Sequence, residues 1–186
     1  AEACAILAHL IGAALARTPE AAADVRAFLD AEMEAFWRSE RLDEKLGWSA
    51  ERVRWFVRSE PRHATERCWN WKSSKLDISG TLNARGRIYN GYPVSADYFG
   101  SFCMDGLAIS LWCVYHTASF DEAITRSVNF LGDADSHGSI TGQLAGALYG
   151  YRSISPKFLE WLEQWDDHGF AVRALLLYHL GSAKYA

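Results

Sequence analysis

Leu131-Gly-Asp133-Ala-Asp135-Ser136-His137-Gly-Ser-Ile-Thr-Gly142-Gln-Leu-Ala-Gly146-Ala-Leu-Tyr-Gly150 is the stretch on which the reading of this chain turns. Two carboxylates stand one residue apart and are followed at once by a hydroxyl. At the start of a helix Asp133, Asp135 and Ser136 can converge their oxygens on one point, and hard cations such as magnesium take oxygen ligands of this kind. Asp and Ser are also ordinary helix caps, so spacing alone leaves a capping role open. The pattern imitates the first six positions of an EF-hand loop but fails at the twelfth, where Leu144 replaces the required bidentate glutamate. A phosphate-binding loop fails as well, because no Gly-Lys-Ser/Thr follows a glycine-rich turn.

The spacing predicts that the three residues stand together at the N-terminal end of one helix and face a cleft, with Gly132 and Gly138 supplying the sharp turn. Mutual repulsion should then raise at least one of the two carboxyl pKa values. Gly142, Gly146 and Gly150 recur every fourth residue and so share one helix face, where another backbone can approach closely.

Outward from this segment the chain reads as helices joined by short turns. Ser119-Phe-Asp-Glu122 is a capping box that opens a helix running to Asn129. Before it, a helix from about Met104 places Leu107, Leu111, Val114 and Tyr115 on one face. Asp105 is a first-turn acid favoured by that helix's dipole. Ser155-Pro156 opens a helix carrying Phe158, Leu159, Leu162 and Trp165, and the run from Phe170 to Leu180 closes at Gly181 as a left-handed cap. Toward the N-terminus, Ala3 to Ala16 is a core helix, too short and too interrupted for a membrane span of about 20 residues. Thr18-Pro19 reads as cap and first helical residue for a helix through Val25, Phe28, Leu29, Met33 and Phe36. Leu46, Trp48, Val53, Phe56 and Val57 suggest a third helix, capped by Ser49 and closed before Pro61. About seven helices result.

From Trp69 to Gly100 the periodicity fails, and Gly80, Gly86, Gly91, Pro93 and Gly100 fall among polar and aromatic residues. This reads as a long ordered loop. Trp69, Trp71, Tyr89, Tyr92, Tyr98 and Phe99 either bury it against the helices or stack on a base such as adenine. Gly100 and Ser101, ahead of the next helix, could offer backbone amides to a diphosphate.

The 186 residues suit a single domain over 1–186, and 49% hydrophobic with 23% charged residues excludes a disordered chain. A formal charge of -4 with no basic block argues against a nucleic-acid partner. Cys4, Cys68, Cys103 and Cys113 lack any zinc spacing and read as reduced thiols, which favours an intracellular setting. His63, His116 and His179 fall outside any ligand spacing and read as structural. The chain starts at Ala1 without an initiator Met, as a processed protein or a piece of a longer one would.

The segment from Asn129 to Gly150 resembles the C-terminal signature of the ADP-ribosylglycohydrolases, the family of dinitrogenase reductase-activating glycohydrolase. That signature runs Asn-x-Gly-Gly-Asp-x-Asp-Thr and continues into a helix with Gly-x-x-x-Gly-Ala-x-x-Gly. Asp105-Gly-Leu-Ala108 to Trp112 and Ser119-Phe-Asp-Glu-Ala123 are similar to the two helices before it, so the likeness runs from about Gly100 to Tyr151. It implies an all-α, orthogonal multi-helix bundle around two magnesium ions, which hold the ribose of ADP-ribose and a water that cleaves its glycosidic bond. Asp133, Asp135 and Ser136 would be metal ligands, Ser136 standing where threonine is usual. Leu131 replaces the first of two glycines, and His137 stands where a small or apolar residue is usual.

The family's Thr-Asp-Asp and Gly-Asp-Ala-x-Gly segments, which supply the other ligands, do not occur in these residues. The chain therefore resembles the C-terminal half of such a hydrolase, a partial bundle completed by an N-terminal half. The alternative is a non-catalytic helical subunit, kept for interaction within a larger assembly; eight Trp and eight Tyr fit a chain that meets other proteins.

Overall fold

The helix α5, Cys103–Tyr115, is buried along most of its length, from Met104 to Leu111 and again at Cys113 and Val114. A helix apolar on all sides can only be stable when neighbours cover every face. The sequence marked one apolar face here; Gly106, Ala108 and Ser110 are small enough to bury the others. The computed structural model describes residues 2–17, 24–39 and 49–185.

In chain order the elements are α1 (Glu2–Leu15), α2 (Val25–Arg38), α3 (Ser49–Arg58), a 3-10 turn (Ala64–Trp69), α4 (Ile78–Arg85), a hairpin of β1 (Ile88–Tyr89) and β2 (Tyr92–Pro93), α5, α6 (Phe120–Val128), α7 (Ala134–Tyr149), a 3-10 turn (Tyr151–Ser153), α8 (Pro156–Asp166) and α9 (Gly169–Tyr185). The all-α expectation holds, with nine α-helices among the described residues. The chain divides into two compact units, residues 1–151 and 152–186.

In the first unit α1, α2, α6 and α7 pack around α5, and Ile6, Leu10, Leu29, Met33, Leu107 and Leu144 are sealed in its core. The Asp24 carboxylate caps α2 by accepting from the Ala27 amide at 3.0 Å. Thr18-Pro19, Leu46 and Trp48 lie outside the described residues, as does the Ser49 side chain. Ser119 accepts from the Glu122 amide at 3.2 Å as the capping box requires, while the Glu122 carboxylate reaches one residue further, to the Ala118 amide at 2.9 Å.

The stretch from Trp69 to Gly100 is not the long loop that its composition suggested. It contains α4, capped by Asp77, and the hairpin, whose register pairs Ile88 with Pro93 and Tyr89 with Tyr92. Asn90 and Gly91 take φ of 52° and 84°, the left-handed pair of a type I′ turn. Trp69, Trp71 and Phe99 are buried, whereas Tyr92 and Tyr98 are exposed. Arg85 at the end of α4 reaches Asp105 in the first turn of α5 with two hydrogen bonds, of 2.5 and 2.9 Å. Asp105, only 1% exposed, also accepts from Trp69 Nε1 at 2.9 Å. A fully hydrogen-bonded pair of this kind tolerates burial that an isolated charge would not. Desolvation, with the Asp105 charge beside it, pushes the neighbouring Cys68 thiol far up.

In the second unit Ser155 and Pro156 open α8 as the sequence indicates, and Asp167 closes it in the left-handed region. Gly181 is not a cap: α9 continues through it to Tyr185. A single glycine costs a helix only about 1 kcal/mol, and the residues beyond it carry the helix on. Among the described residues no helix is long and apolar enough to cross a membrane.

Candidate active site at the entry to α7

The chain enters α7 through two consecutive left-handed residues, Leu131 and Gly132, each with φ of 68°. Leucine rarely adopts this conformation, at a cost of about 1 to 2 kcal/mol. The Leu131 carbonyl accepts a hydrogen bond from His137 Nε2 at 2.9 Å. Because a carbonyl only accepts, Nε2 carries the proton, and Nδ1 in the neutral ring accepts from the Ser127 hydroxyl at 3.0 Å. Thr141 Oγ1 lies 2.9 Å from Ser127 Oγ and continues the network into α7. His137 itself is 0% exposed. Its ring is turned inward as a pin on the loop.

From the other side the Asp133 amide donates to the Phe99 carbonyl at 3.0 Å. A Cβ on Gly132 would stand 2.3 Å from that carbonyl oxygen, so glycine is required there on two counts, space and φ. Gly100 is packed on His137 in the same way, with Cδ2 at 2.9 Å from where its Cβ would be. The structure thus brings Gly100 beside the entry to α7. The Ser101 amide, however, is donated to the Tyr98 carbonyl at 3.2 Å.

These contacts set Asp133 at the N-cap of α7 and Asp135 in its first turn, as the spacing predicted. Asp133 makes no side-chain bond to the helix amides, so its carboxylate is not spent as a cap. It meets the Asp135 carboxyl instead, and Asp135 Oδ1 also accepts from the Ser136 amide at 3.0 Å. The expected rise in pKa does not occur at Asp135. Its carboxyl is held below the usual value, first by the hydrogen bond with Asp133 and then by the Ser136 amide. Asp135 is exposed to water, so little desolvation opposes these bonds.

Asp133 is half-buried, and Asp135 and Ser136 are exposed. Two carboxylates and a hydroxyl side by side on an ordered turn are donors of the type a hard cation takes, and a cation would relieve their repulsion. The described residues hold no cluster of three or more His, Cys, Asp or Glu suited to a metal.

The glycine stripe of α7 departs from expectation. A Cβ on Gly142 would meet Ile124 Cδ1 at 3.5 Å and one on Gly146 would meet Phe120 Cε2 at 3.9 Å, both ordinary contacts with side chains of α6. Gly150 ends the helix with φ of 78°. The close backbone approach lies elsewhere, at Gly106, where a Cβ would be 2.6 Å from the Gly100 carbonyl oxygen.

The family model for ADP-ribosylglycohydrolase matches residues 1–183. An ADP-ribosylarginine hydrolase Tri1 of Serratia proteamaculans (strain 568) is 43% identical over 63 residues, which cover 34% of this chain and 17% of that protein. Its namesake in Pseudomonas putida (strain GB-1) is 41% identical over 69 residues, 36% of this chain and 18% of that protein. The matched stretch thus spans less than a fifth of either relative. No solved structure matches the chain.

Proposed function

The chain belongs to the ADP-ribosylglycohydrolase family, and we propose that it forms the C-terminal portion of a hydrolase that cleaves the glycosidic bond of an ADP-ribosylated substrate. The observation that carries this reading is the placing of Asp133 and Asp135 at the entry to α7, with the Asp133 carboxylate making no capping bond to the helix amides. Asp133, Asp135 and Ser136 would hold magnesium together with ligands from the N-terminal half of the protein. When bound there, magnesium orients ribose hydroxyls and lowers the pKa of a water.

The chain's own residues contribute position. His137 and the Phe99 carbonyl fix the turn from inside, so both carboxylates present their oxygens without having to be ordered when substrate arrives.

The test is release of ADP-ribose from an ADP-ribosylarginine substrate by the complete gene product, with and without magnesium. Magnesium-dependent release is expected, with Asp133→Asn and Asp135→Asn each lowering kcat on the order of 100-fold. A complete protein that releases none would assign the chain to the second reading, a non-catalytic helical subunit.

A further inference from the structure

Four polar side chains buried in the 1–151 unit, Ser110, Ser127, His137 and Thr141, sit together where α5, α6 and α7 meet. Polar groups in such a place have to satisfy one another. Their protons allow one arrangement. The Leu131 carbonyl takes the proton on His137 Nε2, which leaves Nδ1 as an acceptor and commits the single Ser127 hydroxyl proton to it at 3.0 Å. The contact of 2.9 Å between Thr141 and Ser127 must then run from the Thr141 hydroxyl. The His137 carbonyl, 2.7 Å from that same hydroxyl, has Ser110 Oγ at 3.0 Å as a second donor. The donations therefore point one way, from Thr141 through Ser127 and the imidazole to Leu131, and bonds aligned in this sense strengthen one another.

The imidazole cannot turn to find another donor. Phe130 meets it edge-on at 5.9 Å, and its Cδ2 stands 2.9 Å from where a Cβ on Gly100 would be. Ser127 holds one ring nitrogen, and the other holds the carbonyl of a left-handed leucine just ahead of Asp133. Without the Ser127 hydroxyl, Nδ1 is an unpaired acceptor in the core and the bond at Leu131 loses its reinforcement. Leu131 then relaxes toward the conformations that leucine prefers, and the backbone delivers Asp133 in a different direction.

We propose that Ser127 is a positioning residue for the magnesium turn, acting through His137 to set the direction in which Leu131 and Gly132 deliver the Asp133 and Asp135 carboxylates. This rests on the hydrolase reading and extends the working site to a buried hydroxyl of another helix.

The experiment is magnesium titration of the complete gene product by calorimetry, with no substrate present. Ser127→Ala should weaken magnesium binding about tenfold, the usual scale for a group that supports a metal ligand from behind. Excess magnesium should restore release of ADP-ribose from ADP-ribosylarginine in that variant. His137→Leu should weaken binding at least as much, and Ser127→Ala on that background should add nothing. In the parent, nitrogen NMR should place the ring proton of His137 on Nε2. Magnesium affinity kept in Ser127→Ala, whatever happens to the melting temperature, makes the hydroxyl a packing feature and overturns the inference while the hydrolase reading stands. A further loss of affinity in the double variant, or a ring proton on Nδ1, overturns it in the same way. A complete protein that binds no magnesium overturns the inference, and one that also releases no ADP-ribose overturns the hydrolase reading with it.

Discussion

The two ends of α7 are both rich in glycine and use it for opposite reasons. At the entry, Gly132 is left-handed and pressed against the Phe99 carbonyl, and the neighbouring Leu131 has been forced into the same conformation. Further along, Gly142 and Gly146 are ordinary helical residues facing α6 side chains with room for a methyl group. The entry is a position where the backbone itself is the constraint. The stripe is a surface where a small residue is convenient and replaceable.

The sharpest way to break this contrast is Gly132→Ala. Left-handed strain together with the contact on the Phe99 oxygen should destabilise the first unit by about 3 kcal/mol. A melting temperature within the error of the parent would show that the entry is as tolerant as the stripe.

A double-mutant cycle on Leu131 and His137 sharpens the contrast. Leu131 is exposed, so Leu131→Gly loses little burial and relieves the left-handed strain; a gain of up to about 1 kcal/mol is expected. His137→Ala should cost about 3 kcal/mol in the parent, from a buried void and unmet partners. In the Leu131→Gly background that cost should shrink by about 1 kcal/mol, because the strained carbonyl no longer needs holding. Additive effects in denaturant titration would mean that the ring packs the core and does not hold the turn.

The smallest effect belongs to the stripe. Gly146→Ala should stabilise the protein by roughly 0.5 to 1 kcal/mol, the ordinary gain of alanine over glycine inside a helix. A loss of stability would place a closer neighbour on that face than Phe120.

How much could be read from residue order follows the same division. Helix caps are local, so Ser119 with Glu122 and Ser155 with Pro156 gave their helices away, as did the acids at the start of α7. The hairpin was equally local, since Asn90-Gly91 is the residue pair that a type I′ turn demands, but the aromatic residues around it drew the reading toward a loop. What the order of residues does not carry is the long-range partner. Asp105 is in a first turn as expected, yet its partner Arg85 is twenty residues away and its burial depends on α4 folding back onto α5. His137 likewise looks like an intrusion into a ligand run until its ring is seen to hold Leu131. The two departures from the family signature are partners in one local structure.

The buried pair of Arg85 and Asp105 has a consequence for how the molecule opens. Separating the two would leave one charge uncompensated in the interior, at a cost of about 3 to 5 kcal/mol. Arg85 also donates to the Thr65 carbonyl at 2.7 Å, and Trp69 is tied to the same carboxylate. The 3-10 turn, the end of α4 and the first turn of α5 are therefore locked to one another despite their distance along the chain. They form a single cooperative unit, in which amide hydrogens exchange with solvent only when the whole assembly of segments lets go at once.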